Sequence, residues 1–121
     1  MERVQGIGGV FFRARDADRL NRWYAEHLGI GASPPFYDET VWHQEAGPTV
    51  FAPFGAEHWG SPHLGPTGWG INFRLRDLDA MVAQLRAAGI VVDVDKEVYP
   101  NGRFAQLQDP EGNAVQLWQP E

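Results

Sequence analysis

The stretch GINFRLRDLDAMVAQLRAAG, residues 70–89, decides the fold because the chain contains a second version of it. That version is GVFFRARDADRLNRWYAEHLG, residues 9–29. Self-similarity at long range indicates a duplicated supersecondary unit, and each copy predicts a strand that runs into a helix. Within the first ten positions of each copy, six pairs are identical: Gly9/Gly70, Phe12/Phe73, Arg13/Arg74, Arg15/Arg76, Asp16/Asp77 and Asp18/Asp79.

The first copy predicts a strand over Gly6–Ala14, since apolar residues alternate there and successive side chains of a strand point to opposite faces. Asp16 is a good N-cap, and Gly29 is suited to end the helix in a left-handed conformation. Between them an apolar stripe repeats at helical spacing. This stripe consists of Leu20, Trp23, Tyr24 and Leu28.

The second copy predicts a strand with Ile71, Phe73 and Leu75 facing a helix that Asp77 caps. The helical stripe is Leu78, Met81, Val82 and Leu85, and the helix ends at Gly89. The remaining strands are predicted at Thr40–Gln44 and Thr49–Phe54 in the first half, and at Arg103–Gln108 and Ala114–Gln119 in the second. Ile90–Val94 is predicted to be a strand or an extended connection. Turns are predicted at Tyr99–Gly102 and Asp109–Asn113.

This order of elements predicts an α+β fold in which two βαβββ modules form a curved mixed sheet. We expect a single domain over residues 1–121, with half-modules at about 1–54 and 69–121. Residues 55–68, GAEHWGSPHLGPTG, contain four glycines and two prolines and predict a linker without helix or strand. A linker of this length inside a compact domain is often functional.

Composition excludes several classes of function. A hydrophobic fraction of 43% and an aromatic fraction of 12% are typical of a folded globular chain. The absence of cysteine excludes disulfides and zinc–thiolate sites. A net charge of −6 and a pI near 5.1 argue against binding to nucleic acid, which needs a basic face. No apolar run is long enough for a membrane span or a signal peptide, so we expect a cytoplasmic protein.

The duplicated plan, together with ARDADRLNRWYAEHLGI (residues 14–30) and DPEGNAVQLW (residues 109–118), resembles the vicinal oxygen chelate superfamily. This superfamily includes glyoxalase I, bleomycin-resistance proteins and extradiol dioxygenases. The resemblance covers nearly the whole chain, and the closing DPEGNAVQLW is its most specific part. It implies a U-shaped sheet, and in the enzymes one divalent metal on the concave face.

The resemblance also implies where metal ligands would stand. They come from the first and last strands of each half, which in this chain places them at Gly9, Phe51, Gly70 and Gln116. Two glycines and a phenylalanine offer no donor atom, and the glutamine is a weak neutral oxygen donor. We therefore expect no metal and no cofactor.

The same alternation predicts which residues face the concavity. Aromatic rings beside glycines suit a mainly apolar pocket with a few orienting polar groups, although these aromatic residues could also form a closed core. Arg13 and Arg74 could together hold a carboxylate or phosphate, or each could pair with an acidic residue. The predicted ligand-binding residues are Phe11, Arg13, Trp42, Phe51, Asn72, Arg74, Phe104, Gln116 and Trp118.

Three histidines are candidate ligands for another metal site: His43, His58 and His63. His58 and His63 lie five residues apart, a spacing found in zinc sites, but no carboxylate or cysteine partner accompanies them. Trp42, Trp59 and Trp69 are candidates for the lip of the pocket or for a dimer seam. There is no catalytic Ser/His/Asp signature and no phosphate-binding loop.

The sequence favours a metal-free protein that binds a planar or aromatic small molecule and is a homodimer. The superfamily resemblance suggests likeness to the bleomycin-resistance proteins. Two alternatives stay open at this point. One is a glyoxalase, isomerase or dioxygenase with an atypical metal site, and the other is a structural or regulatory dimer.

Overall fold

A computed structural model describes residues 1–31, 42–58, 63–66 and 68–121. In these ranges the chain forms helix α1 (Ala17–Leu28), strand β1 (Gly70–Arg74), helix α2 (Leu78–Ala87) and strands β2 (Asp93–Val94), β3 (Gly102–Gln108) and β4 (Ala114–Pro120). The sheet has the order β1-β4-β3-β2; β1 runs parallel to β4, and the other pairs are antiparallel. The predicted α+β class is confirmed. Neither helix is long and apolar enough to cross a membrane.

The helix boundaries follow from their caps. The Asp16 carboxylate accepts a hydrogen bond from Arg19 N at 3.1 Å, and Asp77 accepts one from Ala80 N at 2.9 Å. These bonds satisfy backbone donors that have no partner inside the helix. Gly29 has φ +72°, which is the left-handed conformation expected at the end of α1. Both predicted helices are therefore confirmed with their caps.

Both helices cover one face of the sheet, and the core lies between them and the strands. Leu20 and Tyr24 of α1 belong to the same buried cluster as the α2 stripe. The sheet contributes alternate residues to this cluster, as the period of two requires. The sheet residues that are buried or packed against the cluster are Ile71, Phe73, Val94, Ala105, Leu107, Val115 and Leu117. The opposite face of the sheet carries the candidate site.

A buried hydrogen-bond network joins α1 to the turn between β3 and β4. Asp109 is 5% exposed, and its carboxylate accepts hydrogen bonds from Tyr24 Oη at 2.7 Å and from Asn113 Nδ2 at 2.7 Å. Backbone N–H groups of Glu111 and Asn113 donate to its other oxygen at 2.9 and 3.0 Å. Burial, and secondly the bond to Asp109, raises the pKa of Tyr24 far above its usual range, so Tyr24 stays a neutral donor.

The carboxylate of Glu111, from the same turn, extends the contact to the start of α1. It accepts backbone hydrogen bonds from Arg15 N at 2.6 Å and from Asp16 N at 2.9 Å. The turn at Asp109–Asn113 therefore holds the start of α1 in place. We call this set of contacts, made by Asp109, Glu111, Asn113 and Tyr24, the helix–turn latch.

The first half differs from the prediction at its strands. Residues 6–14 and 49–54 form no strand in the described chain, and neither do residues 42–44; Thr40 and Val41 lie outside the described residues. A strand needs a neighbour for its backbone N–H and C=O groups, and these segments pair with neither β1 nor β2, the two edges of the sheet. Alternation of apolar residues is local information and does not supply that neighbour.

Two smaller expectations are corrected as well. Ile90–Val94, predicted to be a strand or an extended connection, is a strand at Asp93–Val94 alone. The linker contains one short 3₁₀ turn, Ala56–His58, where no helix was expected. The turns at Tyr99–Gly102 and Asp109–Asn113 are confirmed by the backbone hydrogen bonds between Tyr99 and Gly102 and between Asp109 and Asn113.

Candidate functional site

The open face of the sheet presents two cross-strand pairs in its centre. Asn72 of β1 lies opposite Gln116 of β4, and Phe104 of β3 lies opposite Trp118 of β4. Residues that are directly opposite on neighbouring strands share a face, so these four side chains stand side by side. The sequence predicted this grouping from alternation alone.

A line of polar groups crosses the strands. Asn72 Nδ2 donates to Gln116 Oε1 at 2.6 Å, and Gln116 Nε2 lies 3.2 Å from His63 Nδ1. With the Gln116 amide as the donor, Nδ1 of His63 is the acceptor and the ring hydrogen lies on Nε2. The His63 ring also contacts the ring of Phe54, with centroids 6.0 Å apart. His63 thus belongs to the site, although the sequence offered no supporting motif for it.

Gly70 has a structural reason to be glycine. A Cβ at this position would collide with the backbone carbonyl oxygen of His63. The segment that carries His63 therefore lies directly over the start of β1, a close approach that glycine permits. The sequence treated Gly70 as a vacant ligand position; the structure shows the space above it occupied by the linker.

A row of aromatic rings lies beside the polar line. The rings of Phe104 and Trp118 are parallel within 2°, with centroids 6.2 Å apart, and Tyr99 meets Phe104 edge-on at 5.8 Å. Trp118 is 6% exposed, and its indole N–H donates to the Asn101 carbonyl at 2.8 Å. Its orientation is therefore held by packing and by a hydrogen bond together.

These groups surround a cavity of about 670 Å³. Ligand sites commonly have volumes of about 300–1,000 Å³ and combine apolar walls with a few polar groups. Phe51, 85% exposed, lines the cavity from the first half of the chain. The predicted site residues that the structure brings together here are Phe51, Asn72, Phe104, Gln116 and Trp118; Asp95, Tyr99 and His63 were missed.

The other four predicted residues lie elsewhere. Phe11 is 96% exposed and Arg13 is exposed, and neither lines the cavity. Trp42 packs edge-on against Phe73 at 6.4 Å. Asn72 and Arg74 belong to the same face of β1, but Arg74 does not line the cavity.

Arg74 binds the turn at residues 45–49. Its guanidinium donates to the carbonyls of Pro48 at 2.5 Å and Glu45 at 2.8 Å, and to Thr49 Oγ1 at 3.2 Å. The predicted alternatives for Arg74 were an anion-binding pair with Arg13 or an acidic partner. Instead, backbone carbonyls satisfy this guanidinium, because the path of the first half brings that turn to the end of β1.

A second cavity of about 680 Å³ is lined by residues of β2, β3 and the linker, among them Gly65, Ile90, Asp93 and Gln106. None of the described residues that line it is aromatic, and its buried carboxylate, Asp109, is already engaged in the helix–turn latch. It is the poorer candidate for a planar ligand.

The side chains present do not fit the metal centre of the superfamily. Of the four inherited positions, Gln116 alone offers a donor atom, and the His63 imidazole lies within hydrogen-bond distance of it. Within the described ranges, no three residues of the His, Cys, Asp and Glu types are grouped closely enough to hold a metal ion. His43 is exposed, whereas Trp59 lies outside the described residues.

Comparisons with known proteins agree with this architecture. The model of the family described as Glyoxalase-like domain matches residues 9–118. Lactoylglutathione lyase from Agrobacterium tumefaciens superposes with a TM-score of 0.60 at 17% identity, covering 98% of this chain and 96% of that chain. TnmS3, an antibiotic binding protein from Streptomyces sp. CB03234, gives a TM-score of 0.54 at 23% identity, covering 88% of each chain.

A glyoxalase/bleomycin resistance protein from the same Streptomyces strain is 40% identical over 41% of this chain and 43% of that chain, with a TM-score of 0.38. No curated protein matches the chain. The neighbours with higher TM-scores therefore share its fold, and they include both a lyase and a binding protein.

Proposed function

The chain belongs to the Glyoxalase-like domain family, and on that basis we propose that it binds a planar, aromatic small molecule without transforming it. The family fold supports both catalysis and simple binding, so the choice depends on the site. The observation that carries the proposal is the parallel pair of Phe104 and Trp118 beside the polar line of Asn72, Gln116 and His63. Flat rings stack on such a wall, while amide groups orient them.

The alternative of a metal-dependent glyoxalase, isomerase or dioxygenase lacks support from the donor set. Gln116 and His63 supply one amide oxygen and one imidazole, and the described residues hold no group of three His, Cys, Asp or Glu side chains that would complete the three or four ligands of a catalytic metal site. Elemental analysis of protein purified without chelator tests this point. Stoichiometric metal that disappears in Gln116→Ala would overturn the proposal in favour of the enzyme.

Truncating Phe51 is expected to weaken the binding of planar ligands by about tenfold, because its exposed ring lines the cavity and supplies stacking area. The experiment is a thermal-shift screen of planar aromatic compounds, followed by calorimetric titration of the hits on the parent chain and on Phe51→Ala. Val91→Ala is the control, since this apolar side chain is exposed to the same degree, 86%, and does not line the cavity. Equal affinity of both variants would contradict the proposed site.

The proposal includes a homodimer, which is supported by exposed apolar residues near the N-terminus. We call these residues, Val4, Ile7, Val10, Phe11 and Phe12, the apolar N-terminal segment; each of them is exposed. Apolar patches of this kind mark interaction surfaces. The sequence favours a strand here, and among the described residues β1 is an edge strand of the sheet. A second copy of the chain could bury these apolar side chains and supply hydrogen-bond partners for the edge of the sheet.

Light scattering after size exclusion tests the dimer. We expect light scattering to give the parent chain a mass twice that of its 13.5 kDa monomer. Phe11→Asp is expected to raise the dissociation constant by about tenfold or more, because it places a charge in an apolar contact. A monomeric parent chain at high micromolar concentration would contradict the dimer.

A further inference from the structure

One carboxylate stands out on the wall of the candidate cavity. Among the described residues that line it, Asp95 is the one with a carboxylate side chain. The other polar groups of the wall are amides, a phenol, an indole and an imidazole. A single carboxylate among these groups gives the cavity one electrically distinct end.

The position of Asp95 is fixed by its own contacts. Oδ1 accepts a hydrogen bond from the backbone N–H of Glu97 at 3.1 Å, and Oδ2 accepts one from the hydroxyl of Tyr99 at 3.0 Å. In the described part of the chain, no lysine or arginine forms an ion pair with it. An ionised carboxylate can accept about four hydrogen bonds, so its negative charge and further lone pairs are available to a ligand.

The aromatic row begins at this carboxylate. Tyr99, whose hydroxyl is bonded to Asp95, meets Phe104 at 5.8 Å, and Phe104 lies parallel to Trp118. The hydrogen bond to Asp95 is the main cause that raises the pKa of Tyr99, and the nearby charges of Asp95 and Glu97 contribute to it. The phenol therefore stays neutral, and the electrostatic potential beside it is negative.

A carboxylate beside aromatic faces is the arrangement that attracts organic cations. The faces of aromatic rings carry negative charge density and attract ammonium and guanidinium groups. The carboxylate adds a direct ionic contact, and a net charge of −6 raises the local concentration of cations. An anionic ligand would meet repulsion at the same place.

We propose that the planar ligand carries a positively charged nitrogen, which lies against Asp95 and Tyr99 while the planar part stacks on Phe104 and Trp118. This inference rests on the proposed binding function and narrows it to one class of compound. Asp95 is then the residue that selects for charge, and the aromatic row selects for shape.

The test uses three tricyclic probes of similar size: 9-aminoacridine, which is a cation at neutral pH, neutral acridone, and anthracene-9-carboxylate, an anion. Fluorescence titration of the full chain is expected to show the cation binding at least about tenfold more tightly than acridone. The anion is expected to bind most weakly. The advantage of the cation should shrink as salt is raised, because salt screens an exposed ionic contact.

The charge-neutral variant Asp95→Asn is expected to remove most of the preference, about tenfold, and to change acridone binding by less than about twofold. Asp93→Asn is the matched control: it removes the same charge two residues away, from an exposed position that does not line this cavity. Its titration should match that of the parent chain, whose preference depends on the contact with Asp95 rather than on net charge.

The outcomes separate this inference from the proposed function. Equal binding of cation and neutral probe, unchanged in Asp95→Asn but weakened in Phe51→Ala, would overturn the charge preference and leave planar binding standing. Equal loss in Asp93→Asn and Asp95→Asn would also overturn it, since net charge would then be the cause. Binding of no probe, or binding that Phe51→Ala leaves unchanged, would count against the proposed function itself.

Discussion

Replacing Asp109 by alanine is expected to lower the free energy of unfolding by about 3–5 kcal/mol. The carboxylate accepts four hydrogen bonds inside the helix–turn latch, from Tyr24, Glu111 and Asn113. Its removal leaves the Tyr24 hydroxyl and the Asn113 amide buried without their acceptor, and each such donor costs about 1–3 kcal/mol. A domain of this size has about 5–15 kcal/mol in total, so the variant should be close to unfolding.

Urea denaturation followed by circular dichroism measures this effect. Tyr24→Phe should cost about 1–3 kcal/mol, because it removes one donor and keeps the packing of the ring. Combining Tyr24→Phe with Asp109→Ala should lower the free energy of unfolding by less than the sum of the two single changes, since both remove the same hydrogen bond. Asp93→Ala, at an exposed position of β2, is the control and should stay within about 0.5 kcal/mol. Additive losses would show that the two residues do not act through one contact.

Replacing Gly70 by alanine is expected to cost about 1–3 kcal/mol and to disturb the candidate site. The new methyl group would collide with the carbonyl of His63. Either β1 or the segment carrying His63 must then move, and the 3.2 Å contact between His63 and Gln116 is expected to break. Since His63 and Leu64 line the cavity, the affinity for planar ligands should fall as well.

Gly8→Ala is the matched control for this change. Nothing lies within 4 Å of a Cβ at Gly8, and its φ is not positive, so alanine should be tolerated within about 0.5 kcal/mol. Urea denaturation gives the stability, and titration with a planar probe gives the affinity. If Gly70→Ala behaves like Gly8→Ala in both measurements, the linker does not lie over β1 as described.

Gly9 and Gly70 show that a family resemblance predicts which positions are equivalent but not what surrounds each of them. Gly9 and Gly70 are equivalent in the repeat, and the superfamily pattern treats both as vacant metal-ligand positions. In the structure a Cβ at Gly70 meets backbone, whereas at Gly9 it meets the ring of Phe11. Equivalent positions in a repeat therefore carry different constraints, because the linker passes over one of them.

The sequence by itself determined the elements that depend on neighbouring residues. Asp16 and Asp77 mark the starts of the two helices because a short acidic side chain reaches the backbone N–H groups of the next turn. The period of two in the last strand assigned Gln116 and Trp118 to the open face. These properties are local, so spacing along the chain is enough to predict them.

Tertiary structure alone decided which distant groups meet. Asp95 and Tyr99 reach the aromatic row because β2 pairs with β3 and the chain between them turns at residues 99–102. His63 reaches Gln116 because the linker lies against the start of β1. Strand formation in the first half was decided in the same way, since hydrogen bonds between strands require a neighbour that periodicity cannot name. Contacts at long sequence separation depend on the path of the loops, and no local pattern encodes that path.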